Sequence, residues 1–389
     1  MTPPPSTRIL SLFTLAAVGS VLAGCGADQQ SEPEPTGSPE PALDGGEEAL
    51  EDTEDNDDDA DSAEEEEEEE AEPAEGFEEI AERLEELPGD VEALVVEDGE
   101  QLLRIGEGEP TPIASVVKMY VLYALVDAID DGDVAWDDSL TLTDELRSLP
   151  SGTLQDQYTG YSTSVHDVAE RMIAISDNTG TDMLIDLLGR DAVEQAVADA
   201  GHHDPALLEP FMTTRELFQL RWGVPELGED WAELDESERR EVLEEVAEEP
   251  LSIGYQETSR HDIDYAVDWY ATTDDVVAVH RQLTERSAEH EELEDVLTEN
   301  PGLIDEVDDE WWETVSFKGG GLPGVVTGTW EAVAEDGTHR NVVIMLRTDD
   351  TEDIADHREE LFSLALDALI AGTDTEREEE LEAAETATG

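Results

Sequence analysis

A chain of 389 residues with 105 acidic and only 19 basic side chains carries a formal charge of −86. Such a balance leaves no basic surface for a phosphate backbone and excludes nucleic acid as a partner. The single cysteine excludes an intramolecular disulfide and any metal site built on several thiolates.

The chain opens with Arg8 and an apolar run from Ile9 to Leu22 that ends in Leu22-Ala23-Gly24-Cys25. A basic start, a short apolar segment and small residues before a cleavage point are the parts of a secretory signal, and the run is too short to span a bilayer as a helix. Leu-Ala-Gly-Cys resembles the lipobox of bacterial lipoproteins. That resemblance implies removal of residues 1–24, lipidation of Cys25, and an exported protein anchored to the outer face of the cell membrane.

Residues 25–75 include "EDTEDNDDDADSAEEEEEEEAEPAE". Like charges at this density repel and bury nothing, so the segment is expected to be a disordered acidic tether. The acidic residues 373–389 are expected to form a similar tail. A folded domain is therefore expected over 76–372. Residues 91–370 alone hold 68 acidic and 16 basic side chains. A surface of that kind repels itself in dilute buffer and is screened within about 3 Å at 1 M salt, which points to a protein that works in brine.

Within the domain, "VEALVVEDGEQLLRIG" reads as a hairpin turning at Asp98-Gly99. Residues 113–130 form a helix that is apolar nearly all round, hence buried on every side. Amphipathic helices are predicted at 165–175, 179–188, 191–199, 213–221, 236–248 and 272–287. Strands return in "VSFKGG", "GVVTGTWEAVAEDG" and "HRNVVIMLRTDD", with a turn at Glu335-Asp336-Gly337, and a last helix covers 352–371. Strands at both ends with helices between them give an α/β (α+β) fold. Its antiparallel sheet is flanked by helices and joined to an all-helical lobe, with a ligand cleft between the two.

Only two of the basic residues are lysines, Lys118 and Lys318. Lys118 stands three residues after Ser115 at the mouth of the buried helix, so amine and hydroxyl share a face. A serine becomes a nucleophile when a neighbouring base takes its proton, and a lysine can be that base once burial lowers its pKa. The helix start adds free N–H groups for an oxyanion. Ser176-Asp177-Asn178 falls in a loop between two lobe helices, and Lys318-Gly319-Gly320 on the first returning strand. Each motif alone is weak, since Asp-Asn is a common cap and a lysine at a helix end often snorkels. Together they are specific.

S-x-x-K, S-D-N and K-[T/S]-G in this order are shared by class A β-lactamases and penicillin-binding proteins. The chain resembles the class A β-lactamase-like serine hydrolases over roughly residues 89–372, most closely in "PIASVVKMYVLYAL" and "ISDNTGTDMLIDLLG". The resemblance implies that Ser115 is acylated, Lys118 accepts its proton, and Ser176 passes a proton to the leaving nitrogen. Asn178 and Lys318 would hold substrate, and the N–H groups of Ser115 and Gly321 would form the oxyanion hole beside Gly319 and Gly320. No metal or cofactor is implied, and a monomer acting on a β-lactam or a peptidoglycan-like peptide is expected.

Two departures bear on the reaction. Rapid β-lactam hydrolysis in the family needs a loop glutamate that activates water. Glu209 is the nearest match, but only two residues separate Pro210 from Thr213, so the loop is expected to be short. His202, His203 and Asp204 are other candidates for the base. Gly319 replaces a threonine or serine, removing a hydroxyl that would meet a substrate carboxylate. The alternatives are a slowly deacylating penicillin-binding, D,D-peptidase or esterase-like protein, and a non-hydrolysing sensor of antibiotic or cell wall.

Overall fold

The computed structural model describes residues 72–253, 263–302 and 312–372. The expected signal, Cys25, the tether as far as residue 71 and the 373–389 tail lie outside them. The first half of the domain contains α1 (Glu78–Glu85), β1 (Asp90–Glu97), β2 (Glu100–Ile105), β3 (Thr111–Pro112), α2 (Lys118–Asp130), β4 (Ser139–Thr141) and β5 (Ser162–Ser164). Then come α3 (Val165–Ala174), α4 (Asn178–Leu188), α5 (Arg190–Asp199), α6 (Thr214–Phe218) and α7 (Glu236–Glu248). The chain closes with β6 (Tyr270–Ala271), α8 (Thr273–Ser287), α9 (Glu291–Thr298), β7 (Thr314–Leu322), β8 (Val325–Val333), β9 (His339–Arg347) and α10 (Thr351–Ile370).

Both ends of the domain meet in one five-stranded antiparallel sheet of order β2-β1-β9-β8-β7. Period-two alternation on β9 divides the core: Val343 and Met345 join the lobe-side cluster, while Val342, Ile344 and Leu346 join the cluster under α1 and α10. Because the sheet is covered on both faces, its central strands are apolar nearly throughout. Buried Arg340 ties the layers together, donating to the carbonyls of Leu369 at 3.0 Å and Ala371 at 2.6 Å at the end of α10 and pairing with Glu97. That leaves β7 as the edge strand beside the lobe.

The helix expected over 113–130 is two elements, a 3-10 turn at Ala114–Val117 followed by α2. The break begins at Ala114, whose φ of 46° is left-handed and cannot start a regular right-handed helix. From Lys118 to Val126 every side chain of α2 is buried, as its all-round apolar pattern requires.

The short loop expected after Glu209 is the opening of a long excursion. Beyond Pro210 the chain enters α6 through a capping box of Thr213 and Glu216, passes a π-helical turn at Gln219–Gly223 and runs through α7. Along the way Leu217, Leu220, Trp222, Leu243 and Val246 join the lobe core, and β6 then pairs with β3 through Thr111–Ala271 and Pro112–Tyr270. A threonine pair with an acid three residues on occurs twice, at Thr213-Thr214 and Thr272-Thr273, and both pairs cap helices. The second one, at α8, marks the return.

Candidate active site

Ser115 is placed by the residues just before it. Ile113 N–H donates to Trp269 O at 2.9 Å, Thr327 Oγ1 on β8 donates to Ile113 O at 3.0 Å, and Ala114 N–H donates to Asp268 Oδ1 at 3.2 Å. β7 then passes close against the turn. A Cβ on Gly320 would stand 2.6 Å from Ile113 O and 2.9 Å from Ser115 N, so only glycine allows this approach. Gly321, next along the edge, has open space around it. A Cβ on Gly319 would meet the Phe317 ring at 2.7 Å. The aromatic ring therefore occupies the space from which a threonine side chain would project.

Both lysines converge on Ser176. Lys118 Nζ donates to Ser176 O at 2.7 Å, to Ser176 Oγ at 3.0 Å and to Asn178 Oδ1 at 2.7 Å, and Lys318 Nζ donates to Ser176 Oγ at 3.1 Å and to Gly319 O at 2.5 Å. Their relative exposures are 0 and 2 %. Burial lowers Lys118 to about 7, opposed by the charges of Asp177 and Asp182. Lys318 is pushed well below the usual lysine range by burial and by the neighbouring Lys118. In its ammonium form Lys118 has an acceptor for each of its three protons. As a free amine it gains a lone pair that can take a proton from Ser115, three residues earlier.

Ser176 is held in a left-handed conformation, φ 56°. Its carbonyl accepts both Lys118 and the Ser151 hydroxyl, the latter at 2.6 Å. Asp177 caps α4 by accepting Gly180 N–H at 2.9 Å and fixes the opposing loop through Thr153 N–H at 2.6 Å and Leu154 N–H at 2.9 Å. Asp182, one turn beyond Asn178, accepts Thr214 N–H and Oγ1–H, both at 2.8 Å, and Arg215 N–H at 2.9 Å. Burial raises its pKa to about 7 in spite of these donors. The α4 spacing from Asn178 to Asp182 could have revealed this residue; nothing local in the sequence signals Ser151 or Asp268.

Glu209 is not brought to this cluster. Among the described residues it makes no ion pair or hydrogen bond through its carboxylate with Ser115, Lys118, Ser176 or Asn178. It lines a cavity of about 320 Å³ with Trp231, Arg239, Asp268, Trp269 and Tyr270. Burial and repulsion from Glu236 and Glu194 raise its pKa. The physical reason is the excursion, which sends the chain from Pro210 toward α7 and leaves Glu209 between α5 and α7. His202, His203 and Asp275 cluster closely enough to suggest a cation, but their donor atoms are committed. His202 Nδ1 accepts Asp204 N–H at 3.2 Å, which puts the ring proton on Nε2 facing Tyr270 O at 3.0 Å. Asp275 is engaged by the His203 ring at 2.7 Å and caps α8 through Thr272. In this arrangement these atoms serve the protein's own hydrogen bonds.

The geometry defines a buried serine–lysine site between a helical lobe and an antiparallel sheet. Residues 77–293 match the family model of the β-lactamase enzyme family. That match spans more than half of the chain, and the chain belongs to this family. Its hydrolases are of the serine β-lactamase kind. Among solved structures, a β-lactamase from Sphaerobacter thermophilus is 23 % identical with a TM-score of 0.53, covering 76 % of this chain and 95 % of its own. A class A β-lactamase representative from Bacteroides cellulosilyticus is 16 % identical with a TM-score of 0.54, covering 75 and 94 %. PBP-A is 18 % identical with a TM-score of 0.53, covering 78 and 99 %. These likenesses show the β-lactamase/transpeptidase fold. No curated protein sequence matches the chain.

Proposed function

We propose that the protein is a serine hydrolase that forms an acyl-enzyme on Ser115 with a β-lactam or a related amide or ester. The observation that carries this reading is the convergence of Lys118 and Lys318 on the Ser176 hydroxyl, at 3.0 and 3.1 Å, beside the Ser115 turn. Ser115 Oγ attacks the acyl carbonyl as its proton passes to Lys118 Nζ. The oxyanion is met by N–H groups of Ser115 and Gly321. The C–N or C–O bond then breaks, and the leaving atom takes a proton through Ser176, which Lys318 polarises. Water later splits the ester and restores the hydroxyl.

A second reading concerns the last step, and the position of Glu209 favours it. With no hydrogen bond or ion pair from that carboxylate to the serine–lysine site among the described residues, the acyl-enzyme would be released slowly, as in a penicillin-binding protein or sensor. One experiment separates the two: the chain from residue 72 onward in molar KCl is mixed with a chromogenic cephalosporin while intact mass is followed, beside Ser115→Ala. Steady colour with a transient adduct supports hydrolysis, a lasting stoichiometric adduct supports the slow form, and a cephalosporin adduct that persists in Ser115→Ala refutes both.

We also propose attachment to the outer face of the membrane through lipid on Cys25, supported by Leu22-Ala23-Gly24-Cys25. Cys25→Ser should release the full-length protein into the medium, and retention of the variant at the membrane would refute the anchor.

A further inference from the structure

Ala114 is the residue through which the backbone aims Ser115, and its left-handed φ of 46° is one that a residue with a Cβ adopts only under constraint. The constraint comes largely from the far end of the excursion. Asp268 Oδ1 accepts the Ala114 N–H at 3.2 Å, and Trp269 O accepts the Ile113 N–H at 2.9 Å. Ala114 is fully buried, so without Asp268 its N–H would lose its acceptor out of reach of water.

The Asp268 carboxyl is itself buried, and its Oδ1 also takes Trp269 N–H at 2.8 Å. Its Oδ2 has no hydrogen-bond partner. Its hydrogen bonds therefore all go to backbone N–H groups, one of them adjacent to the nucleophile. The Arg221 guanidinium is the main charge that favours its ionised form, yet among the described residues no ion pair joins the two. Residue and partner are separated by 154 positions and joined by the fold alone.

We propose that Asp268 is a positioning residue for Ser115. By holding the Ala114 N–H it keeps the turn left-handed and the Ser115 N–H beside the β7 edge, so that the Asp268-Trp269 segment serves as the clamp on the nucleophile. This rests on Ser115 being the acylated residue. Asp268 touches no reacting atom and acts through the backbone of Ala114.

The test is the rate at which a fluorophosphonate labels Ser115, followed by intact mass in molar KCl, with the melting temperature of each variant measured alongside. Asp268→Ala should slow labelling at least tenfold, a barrier of about 1.4 kcal/mol. Asp268→Asn, which keeps an acceptor at Oδ1, should stay within about threefold. Ala114→Gly makes the left-handed turn accessible without a clamp, so adding it to Asp268→Ala should restore most of the rate. If Asp268→Ala does not fold, Asp268→Ser, too short to reach Ala114, takes its place in the same comparison.

A merely structural role predicts otherwise: lower melting temperature, wild-type labelling of the folded fraction, and no rescue by Ala114→Gly. That result overturns the inference and leaves the Ser115 reading intact. Labelling that survives in Ser115→Ala overturns that reading, and the inference with it.

Discussion

Two buried cations, Lys118 in the lobe and Arg221 in the excursion, are treated in opposite ways. Lys118 has an acceptor for each of its three protons, from Ser176 and Asn178. Arg221 is nearly as buried, but among the described residues none of its three guanidinium nitrogens has a hydrogen-bond partner; the Trp222 ring lies 5.0 Å from the guanidinium carbon, and the charges of Asp268 and Asp264 act on it without a direct bond. A lysine can answer burial by giving up its proton, and Lys118 does so near pH 7. An arginine cannot, so Arg221 keeps a charge that burial penalises. The lobe has built a reactive amine where the excursion carries a guanidinium without hydrogen bonds among the described residues.

The largest expected effect tests the reactive half of this contrast. Lys118→Ala should slow acylation by about 10²–10⁴-fold, the usual contribution of a general base, with little change in melting temperature because a buried amine is being removed. Lys118→Arg should be as slow, since a guanidinium cannot accept the proton. Wild-type acylation rates for either variant would show that Lys118 is not the base.

Next is Asp182, which satisfies two backbone N–H groups and one hydroxyl at the mouth of the excursion. Asp182→Ala should destabilise the fold by about 3 kcal/mol, seen as a lower denaturation midpoint. Its charge also supports the Lys118 ammonium, so Asp182→Asn should move the acylation profile to lower pH. In the wild type, the fraction of free amine falls about tenfold for each pH unit below the Lys118 pKa, so the acylation rate should rise with pH and level off above about 7. Stability follows the same group. Its folded pKa lies below its unfolded value, so the unfolded chain binds more protons between about 7 and 10.5, and Lys118 contributes stability that increases with pH across that window. An acylation rate flat from pH 5 to 9 would contradict the assignment.

Arg221→Met tests the other half and should stabilise the protein by about 1 kcal/mol, because a desolvated guanidinium without hydrogen bonds is exchanged for apolar packing at the loss of its longer-range attraction to Asp268. A fall in melting temperature would mean that Arg221 is better satisfied than its geometry suggests. Smallest is Glu209→Gln. Its carboxylate has no hydrogen bond or ion pair to the lysine site among the described residues, so deacylation should change by less than about threefold, against the 10²–10⁴ of a working base. A hundredfold loss would restore Glu209 as that base.

The sequence carried the parts of this contrast that depend on local pattern. The hairpin at Asp98-Gly99, the buried α2 and the strands of the returning sheet follow from turn chemistry and periodicity, and the scarcity of lysine singled out both amines of the site. What it could not carry depends on contacts across long separations. The β3–β6 and β4–β5 pairs are two or three residues long and exist only because the fold brings them together. Short α1 and α9 were missed as well. The left-handed Ala114 is explained by Asp268 and Trp269, more than 150 residues away.

The most direct test of the central claim uses the fact that the chain has only two lysines. With ¹³C-labelled lysine, NMR in molar KCl gives one Cε signal for each, assigned by Lys118→Ala and Lys318→Ala. The account predicts that the Lys118 signal titrates near pH 7 and the Lys318 signal well below the usual lysine range. If both titrate near the ordinary value of about 10.4, neither amine is poised to take a proton at neutral pH, and the mechanism assigned to this site is wrong.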